Sequence, residues 1–369
     1  MSSRVNTDFR AKDGTSLSIA AVQMDANPAP TPDRLARAES LVTAAAGAGA
    51  QLAVLPELFN TGYSYSLENH ARVETLDGPT ATWMRDIAAR LDIHLAGSLM
   101  LLERGDVYNA LLLFAPDGRM WRYDKVYPWG WERGSFRGSR QDPKGTVAET
   151  DLGNIGLLVC WDAAHLNLWK LYAGRVDLMV ICSSPPQVDG AIYHFPNGDR
   201  VRHEDMEPKV ASTQGETRRV FGDMINQQTA WLGVPAVNSV GCGHIQTDIP
   251  RARQIVLGWA VTAPRLFKYL PQASRLQMSC DMVHQCKVVD AGGQVLSGLT
   301  REDGEAYTLA QVSLSGSRPT PQEPQPASSI RRLSYFLSDL YLPTIAKSVY
   351  REGQRHWKAA FRQAVNGPA

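Results

Sequence analysis

A chain of 369 residues suffices for one large domain or two of ordinary size. Hydrophobic content of 44%, charged content of 20% and a net charge of +1 describe a soluble globular protein and give no reason to expect nucleic acid as a partner. The five cysteines (Cys160, Cys182, Cys242, Cys280, Cys286) form no Cys-x-x-Cys pair, so neither a disulfide framework nor a zinc ribbon is indicated, and Cys242 with His244 completes no metal site, so no metal is expected. Met1 to Thr15 is polar, carries Asp8 and Asp13, and lacks the apolar core of a signal peptide. No run of about 18 dominantly apolar residues is present, so no transmembrane helix is expected and a reducing cytoplasm is the default compartment.

In chain order, Leu17 to Met24 alternates as a first strand, and Pro32 to Ala48 has alanine-rich helical spacing that ends in glycines. Leu52 to Leu55 predicts a buried strand closed by Pro56-Glu57. Thr80 to Leu91 predicts a helix, His94 to Leu102 a strand, and Ala110 to Phe114 another. Pro116-Asp117-Gly118-Arg119 is a turn, since Pro presets one dihedral and Gly takes positive φ. Met120 to Tyr123 returns from it as a hairpin strand leading into Asp124-Lys125. Asn154 to Asp162 (Asn-Ile-Gly-Leu-Leu-Val-Cys-Trp-Asp) reads as a buried strand with Cys160 at its end, and a helix follows over about Ala164 to Ala173. Leu178 to Cys182 (strand), Thr217 to Leu232 (helix), Val234 to Asn238 (strand), a hairpin at Val288 to Val295 and a strand at Tyr307 to Val312 complete the pattern. Alternating helices and strands with two hairpins predict α/β layers around a mixed sheet.

A thiol where a strand turns into a helix can be presented at the top of a sheet, where the following backbone N–H groups lower its pKa and receive an oxyanion. An isolated Cys in an apolar run is more often a small buried hydrophobe. The company this stretch keeps changes that reading. Leu55-Pro56-Glu57-Leu58-Phe59-Asn60-Thr61-Gly62-Tyr63, Tyr123-Asp124-Lys125-Val126 and Gly156-x-x-x-Cys160-Trp161-Asp162 resemble, in order and approximate separation, the three catalytic blocks of the nitrilase (carbon–nitrogen hydrolase) superfamily. Tyr108-Asn109 and Val237-Asn238 also match, and the resemblance covers roughly Leu17 to Leu314.

The resemblance implies a four-layer α-β-β-α sandwich, a homodimer or larger assembly, and a cofactor-free Glu-Lys-Cys site. Hydrolysing an amide or nitrile requires a nucleophile, a proton carrier and a cation where negative charge develops. In those roles stand Cys160, which would form a thioester or thioimidate, Glu57, which would take the thiol proton and later activate water, and Lys125, which would stabilise the oxyanion with the N–H of Trp161. Taken alone, Glu57 reads as a helix cap and Lys125 as a solvated surface residue. A second glutamate supports the lysine in this family. Glu132, in Glu132-Arg133-Gly134-Ser135-Phe136, has the right spacing, although Arg137-Gly138 replaces the usual Pro-Gly ending, and a surface salt bridge is the alternative. Tyr63 and Trp161 are the candidates for substrate and oxyanion contact.

The departures bear on substrate. Where amidase branches read Cys-Tyr-Asp-x-Arg, this chain reads Cys160-Trp161-Asp162-Ala163-Ala164, so the arginine that can hold a substrate carboxylate is missing. Trp161 is similar to true nitrilases, and Lys125 to Trp129 is similar to aliphatic amidases. His165 suits a packed histidine or a substrate contact equally. The expected substrate is a linear amide; a nitrile, or acyl transfer from the same thioester, is the alternative, and a non-catalytic binding protein is disfavoured by the intact Glu57, Lys125 and Cys160. The expected organisation is a catalytic domain over 1–318, with inserted segments at about 189–216 and 244–282, then a stiff Pro319 to Pro326 linker and a basic, aromatic tail within 319–369. From Ile330 onward the tail sets seven Lys/Arg against two acidic residues, interleaved with aromatics. It could pack on its own body, on a neighbouring subunit, or lie on an anionic membrane surface, with Ile255 to Pro264 then forming a lipophilic entrance.

Overall fold

The computed structural model describes residues 14–139, 146–206, 215–321 and 323–366. The expectations for the first 13 residues, and for part of the first inserted segment, fall outside these ranges. Twelve strands form one folded sheet whose two halves lie face to face. The first half runs β16 (Ala306–Leu314), β1 (Thr15–Asp25), β2 (Leu52–Val54), β3 (His94–Glu103), β4 (Asp106–Phe114) and β5 (Met120–Asp124). The second runs β15 (Val295–Gly298), β14 (Lys287–Val289), β11 (Ala236–Cys242), β8 (Leu178–Ser183), β7 (Gly153–Val159) and β6 (Ala148–Thr150). Among the described residues, the strand pairing that joins the halves is that of the ends of β1 and β11, which run in parallel, Met24 with Gly241 and Asp25 with Cys242.

Strand periodicity divides the core. Successive side chains point to opposite faces. Leu17, Ile19 and Ala21 therefore enter the layer between the sheets, while Ala20, Val22 and Met24 pack beneath the helices Thr31–Gly47 and Pro79–Leu91. Leu111 and Leu113 face inward while Ala110, Leu112 and Phe114 face the same helices, which explains an unbroken apolar run in a strand covered on both faces. On the far side, Leu166–Tyr172 and Ile225–Leu232 cover the second half. The expected four-layer α-β-β-α sandwich is what forms.

Most predicted elements stand within a few residues of their expected bounds. The differences are informative. The predicted helix after Cys160 is split into a tight turn, Cys160–Ala164, and the helix Leu166–Tyr172. The helix expected from Thr217 contains a widened π turn at Val220–Met224. The two segments that look inserted are not independent excursions. β9 (Ile192–His194) and β10 (Arg200–Arg202) from the first join β12 (His244–Asp248) and β13 (Gln277–Asp281) from the second in a separate four-stranded sheet, ordered β10-β9-β13-β12.

The linker does not hold the tail away from the body. Gln228 Nε2 donates to the Pro326 carbonyl at 3.0 Å, and Gln325 Nε2 donates to the Leu166 carbonyl at 3.1 Å. The helix Leu342–Asn366 then crosses the chain's own body. Tyr350 OH donates to Asp106 Oδ1 at 3.0 Å and accepts from the Val107 N–H at 3.0 Å, and Arg251 pairs with Glu352 at 2.7 Å. The Trp357 ring stacks on His70 with centroids 5.8 Å apart and is 2% exposed. No helix among the described residues is long and apolar enough to cross a membrane. Trp357→Ala should lower the unfolding free energy by about 3 kcal/mol, read as a urea midpoint shift at constant slope. A change below about 0.5 kcal/mol, the usual size for an exposed site, would mean that the helix leaves the body in solution.

Candidate active site

Four chain segments converge at one end of the sandwich. β2 is parallel to β3, and β7 to β8, so their carboxyl ends open on the same side, where loops of α/β sheets commonly carry ligands. Pro56 ends β2, and Leu58 turns the chain with φ of 52°. Glu57 is thereby left at the mouth of the strand, 2% exposed. Lys125 follows β5, Glu132 lies in the turn Gly130–Gly134, and Cys160 follows β7. Cys160 has φ of 51°, a left-handed conformation that L-residues rarely adopt, so the surrounding fold holds the thiol at a sharp turn.

The centre is a buried ammonium between two carboxylates. Lys125 Nζ donates to Glu57 Oε1 at 2.7 Å and to Glu132 Oε2 at 2.6 Å, with its side chain fully enclosed. Asn109 Nδ2 donates to Glu57 Oε1 at 2.7 Å, and the Ser184 N–H donates to Glu57 Oε2 at 3.0 Å. Tyr63 OH donates to Glu132 Oε1 at 2.6 Å, and the Trp129 N–H donates to Oε2 at 2.8 Å. Phe136 places its ring 5.8 Å from the ammonium. Sγ of Cys160 and carboxylate oxygens of Glu57 and Glu132 lie within 4.8 Å of one another. That spacing would suit a cation, but the Lys125 ammonium already donates to both carboxylates, so the cluster's positive charge is built in.

Burial sets the protonation balance. Desolvation pushes the Glu57 carboxyl up to about 6 against the opposing pull of Lys125. Desolvation, then the Glu57 charge, pushes the Cys160 thiol well above its ordinary value, with Lys125 acting the other way. The neighbouring carboxylates outweigh desolvation at Lys125 and raise it, so it stays an ammonium. At neutral pH the site thus holds a neutral thiol beside an ionised carboxylate that can accept its proton.

The sequence motifs predict Glu57, Lys125, Cys160 and Glu132 as one cluster, and the structure places all four at one point. Trp161 and Tyr63 stand beside them, both lining the narrow space in front of Cys160. Tyr63 directs its hydroxyl at Glu132, and Trp161 donates its ring N–H to Asp339 Oδ1 at 3.1 Å. His165 is a packed residue. It stacks on Tyr127 with centroids 3.6 Å apart, and desolvation pushes its pKa down to about 3. Its Nε2 lies 3.4 Å from Asp339 Oδ2 but makes no hydrogen bond, and a neutral ring there is not an ion pair.

Several partners went unassigned in the sequence. Asn109 is a motif residue in the sequence, but its hydrogen bond to Glu57 follows from the pairing of β4 with β3 and of β3 with β2, which brings it beside the end of β2. Ser184 had no signal; its backbone and hydroxyl both hold Glu57, the hydroxyl donating to the Glu57 carbonyl at 2.9 Å. Asp162 accepts from Tyr123 OH at 2.7 Å and from the N–H groups of Val126 at 3.1 Å and Tyr127 at 2.7 Å, tying the turn after Cys160 to the loop after Lys125. Asn238 accepts from Ser183 Oγ at 2.8 Å, one residue from Ser184. The Ala164 carbonyl accepts from Tyr335 OH, so the tail covers the position where amidase branches carry arginine.

A strand-end glutamate, lysine and cysteine set on a four-layer sandwich define the arrangement of the carbon–nitrogen hydrolases. The family model "Carbon-nitrogen hydrolase" matches residues 18–322, and the chain belongs to that family. Among curated relatives it is 26% identical over 147 residues to a nitrilase of Pyrococcus abyssi, covering 39% of this chain and 55% of the relative. It is 29% identical over 151 residues to an omega-amidase of Danio rerio, covering 39% of this chain and 54% of the relative. The match thus spans about half the length of these relatives. Among solved structures, an amidase from Nesterenkonia sp. superposes with a TM-score of 0.56 at 20% identity, covering 84% of this chain and 94% of that one, a likeness of fold.

Removing the ammonium would leave two buried carboxylates facing each other, and breaking a buried ion pair costs about 3–5 kcal/mol. Lys125→Met should therefore lower stability by about 3 kcal/mol at pH 8. Glu57 already holds its proton above the usual 4.5, and loss of Lys125 raises it further. Between the unfolded and folded values the native chain binds the extra proton, so stability falls as pH rises through that window. The variant's deficit in urea unfolding should accordingly be smaller at pH 5 than at pH 8. Equal deficits would refute the charge account.

Proposed function

We propose that the protein hydrolyses a linear amide to a carboxylic acid and ammonia or an amine through a thioester on Cys160. The observation that supports this reading most is the Glu57 carboxylate, held between Lys125, Asn109 and Ser184 within reach of the Cys160 thiol. As Sγ attacks the carbonyl carbon, its proton passes to Glu57, and the carbonyl oxygen becomes an oxyanion. Lys125 and the Trp161 N–H stabilise that charge in a dry site where such interactions are strong. Glu57 then gives the proton to the departing nitrogen, and the C–N bond breaks to leave the thioester. Water, deprotonated by Glu57, attacks the thioester carbon; the C–S bond breaks, and the thiol recovers its proton. Glu132 acts by keeping Lys125 in place and charged.

The test is ammonia release from a panel of aliphatic and aromatic amides and matching nitriles, with intact mass recorded alongside. Amide turnover that vanishes in Cys160→Ala is the expected result. Release only from nitriles would replace the amide by a nitrile and the thioester by a thioimidate. A stable adduct on Cys160 without turnover would point to an acceptor other than water.

The proton-accepting role also sets a pH profile. Glu57 must be ionised to take the thiol proton, so kcat/KM should rise as pH climbs through about 6, the value that burial imposes on this carboxyl. A flat profile between pH 5 and 7 would remove Glu57 from that role.

A further inference from the structure

The space in front of Cys160 has two compartments. The inner one, about 30 Å³, is bounded by Cys160, Tyr63, Pro185, Pro186 and Phe221, room for a reacting carbonyl and a water. Trp129, Trp161, Val188 and Thr217 line this neck and also the compartment beyond it, so the two are continuous. The outer chamber is about 300 Å³. Its walls come from the accessory sheet (Tyr193), from the helix Ala252–Thr262 (Ile255, Trp259) and from the tail (Phe336, Leu337, Tyr341). Gly258 and Tyr341 face each other so closely that a Cβ on the glycine would lie 3.2 Å from the tyrosine hydroxyl. Phe336 and Tyr341 line the chamber yet remain 51% and 41% exposed, which places them at its mouth.

Among the described residues, the charge that lines this chamber has one sign. Among the described lining residues the ionisable groups are Asp189, Glu216, His203 and the two tyrosines, with no lysine or arginine. Burial pushes His203 down to about 4, so it is neutral, and its Nδ1 is 2.8 Å from Tyr193 OH. Glu216 accepts from the Arg331 N–H at 3.1 Å and from Ser334 Oγ. A carboxylate entering this space would lose its water and meet acidic groups instead of a cation. An aryl or branched-alkyl group would meet indole and aliphatic surface.

We propose that this chamber takes the side group of the substrate, and that the substrate is an amide carrying a bulky aryl or branched-alkyl group and no carboxylate. The proposal rests on the amide-hydrolysing reading of Cys160 and names the substrate class for it. The narrow neck holds the scissile group at the thiol, while the wide chamber selects what is attached.

The experiment compares kcat/KM of the full chain for acetamide, phenylacetamide and succinamate. Phenylacetamide should exceed acetamide by about tenfold or more, the scale on which apolar pockets discriminate, and succinamate should be the poorest of the three. Filling the chamber with Leu337→Trp, or separately Ile255→Trp in case the first variant folds poorly, should collapse the phenylacetamide-to-acetamide ratio by about tenfold. Cys160-dependent turnover that favours succinamate, or a ratio unchanged by both fillings, overturns the proposal and leaves the amidase reading standing. If no amide is turned over, that reading fails instead, and the chamber is judged by calorimetry on Cys160→Ala. Phenylacetamide binding that the Leu337→Trp change weakens then supports it, and no binding overturns it.

Discussion

The Lys125 ammonium, enclosed between Glu57 and Glu132, is the interaction on which this end of the molecule depends. Three charges taken out of water are costly unless every lone pair and proton finds a partner. The partners come from far apart: a tyrosine in the loop after β2, a backbone amide at Trp129, an asparagine on β4 and an amide after β8. Each of those segments is thereby held to one point. Asp162 adds a second buried knot, since one carboxylate receives Tyr123 and the amides of Val126 and Tyr127. The nucleophile turn and the lysine loop cannot move independently while that carboxylate is satisfied.

This architecture also decides how the thiol is activated. A cysteine beside a cation and away from carboxylates would rest as a thiolate. Here burial and Glu57 together hold Cys160 in the neutral form. Under the proposed mechanism its nucleophilicity depends on a proton acceptor at the moment of attack, and that acceptor would be the same group that suppresses early ionisation. Glu57, poised near 6 by burial, is ionised at neutral pH yet still basic enough to take the proton.

What could be read in the sequence follows from which determinants are local. Glu57 and Cys160 each sit at the end of a short apolar run, and Lys125 follows the return strand of the hairpin whose Pro116-Asp117-Gly118 turn is visible in a few neighbours. The alternation in β1 and the turn at Asp117-Gly118 are equally local. The pairing of β9 with β13 was not legible, because it joins His194 to Gln277 across more than eighty positions and neither strand is long enough to announce itself. Ser184 acts mainly through its backbone, which its residue type does not reveal. Tyr335 and Asp339 read as part of a basic, aromatic tail. Only the folded chain shows that one reaches the Ala164 carbonyl and the other the Trp161 indole.

Those two tail contacts connect the chemistry to the chamber. The reacting groups stand on ends of core strands, whereas much of the chamber wall comes from the accessory segments and the tail. Such walls could vary without disturbing the ammonium and its carboxylates. Yet Trp161 belongs to both sets: its peptide N–H adjoins the nucleophile, its ring lines both compartments, and its indole N–H is anchored by Asp339. The tail thus holds the ring that lines both compartments, while Glu57, Lys125 and Cys160 are held from the strand ends. In this fold the tail forms part of the chamber wall, and the strand ends carry Glu57, Lys125 and Cys160.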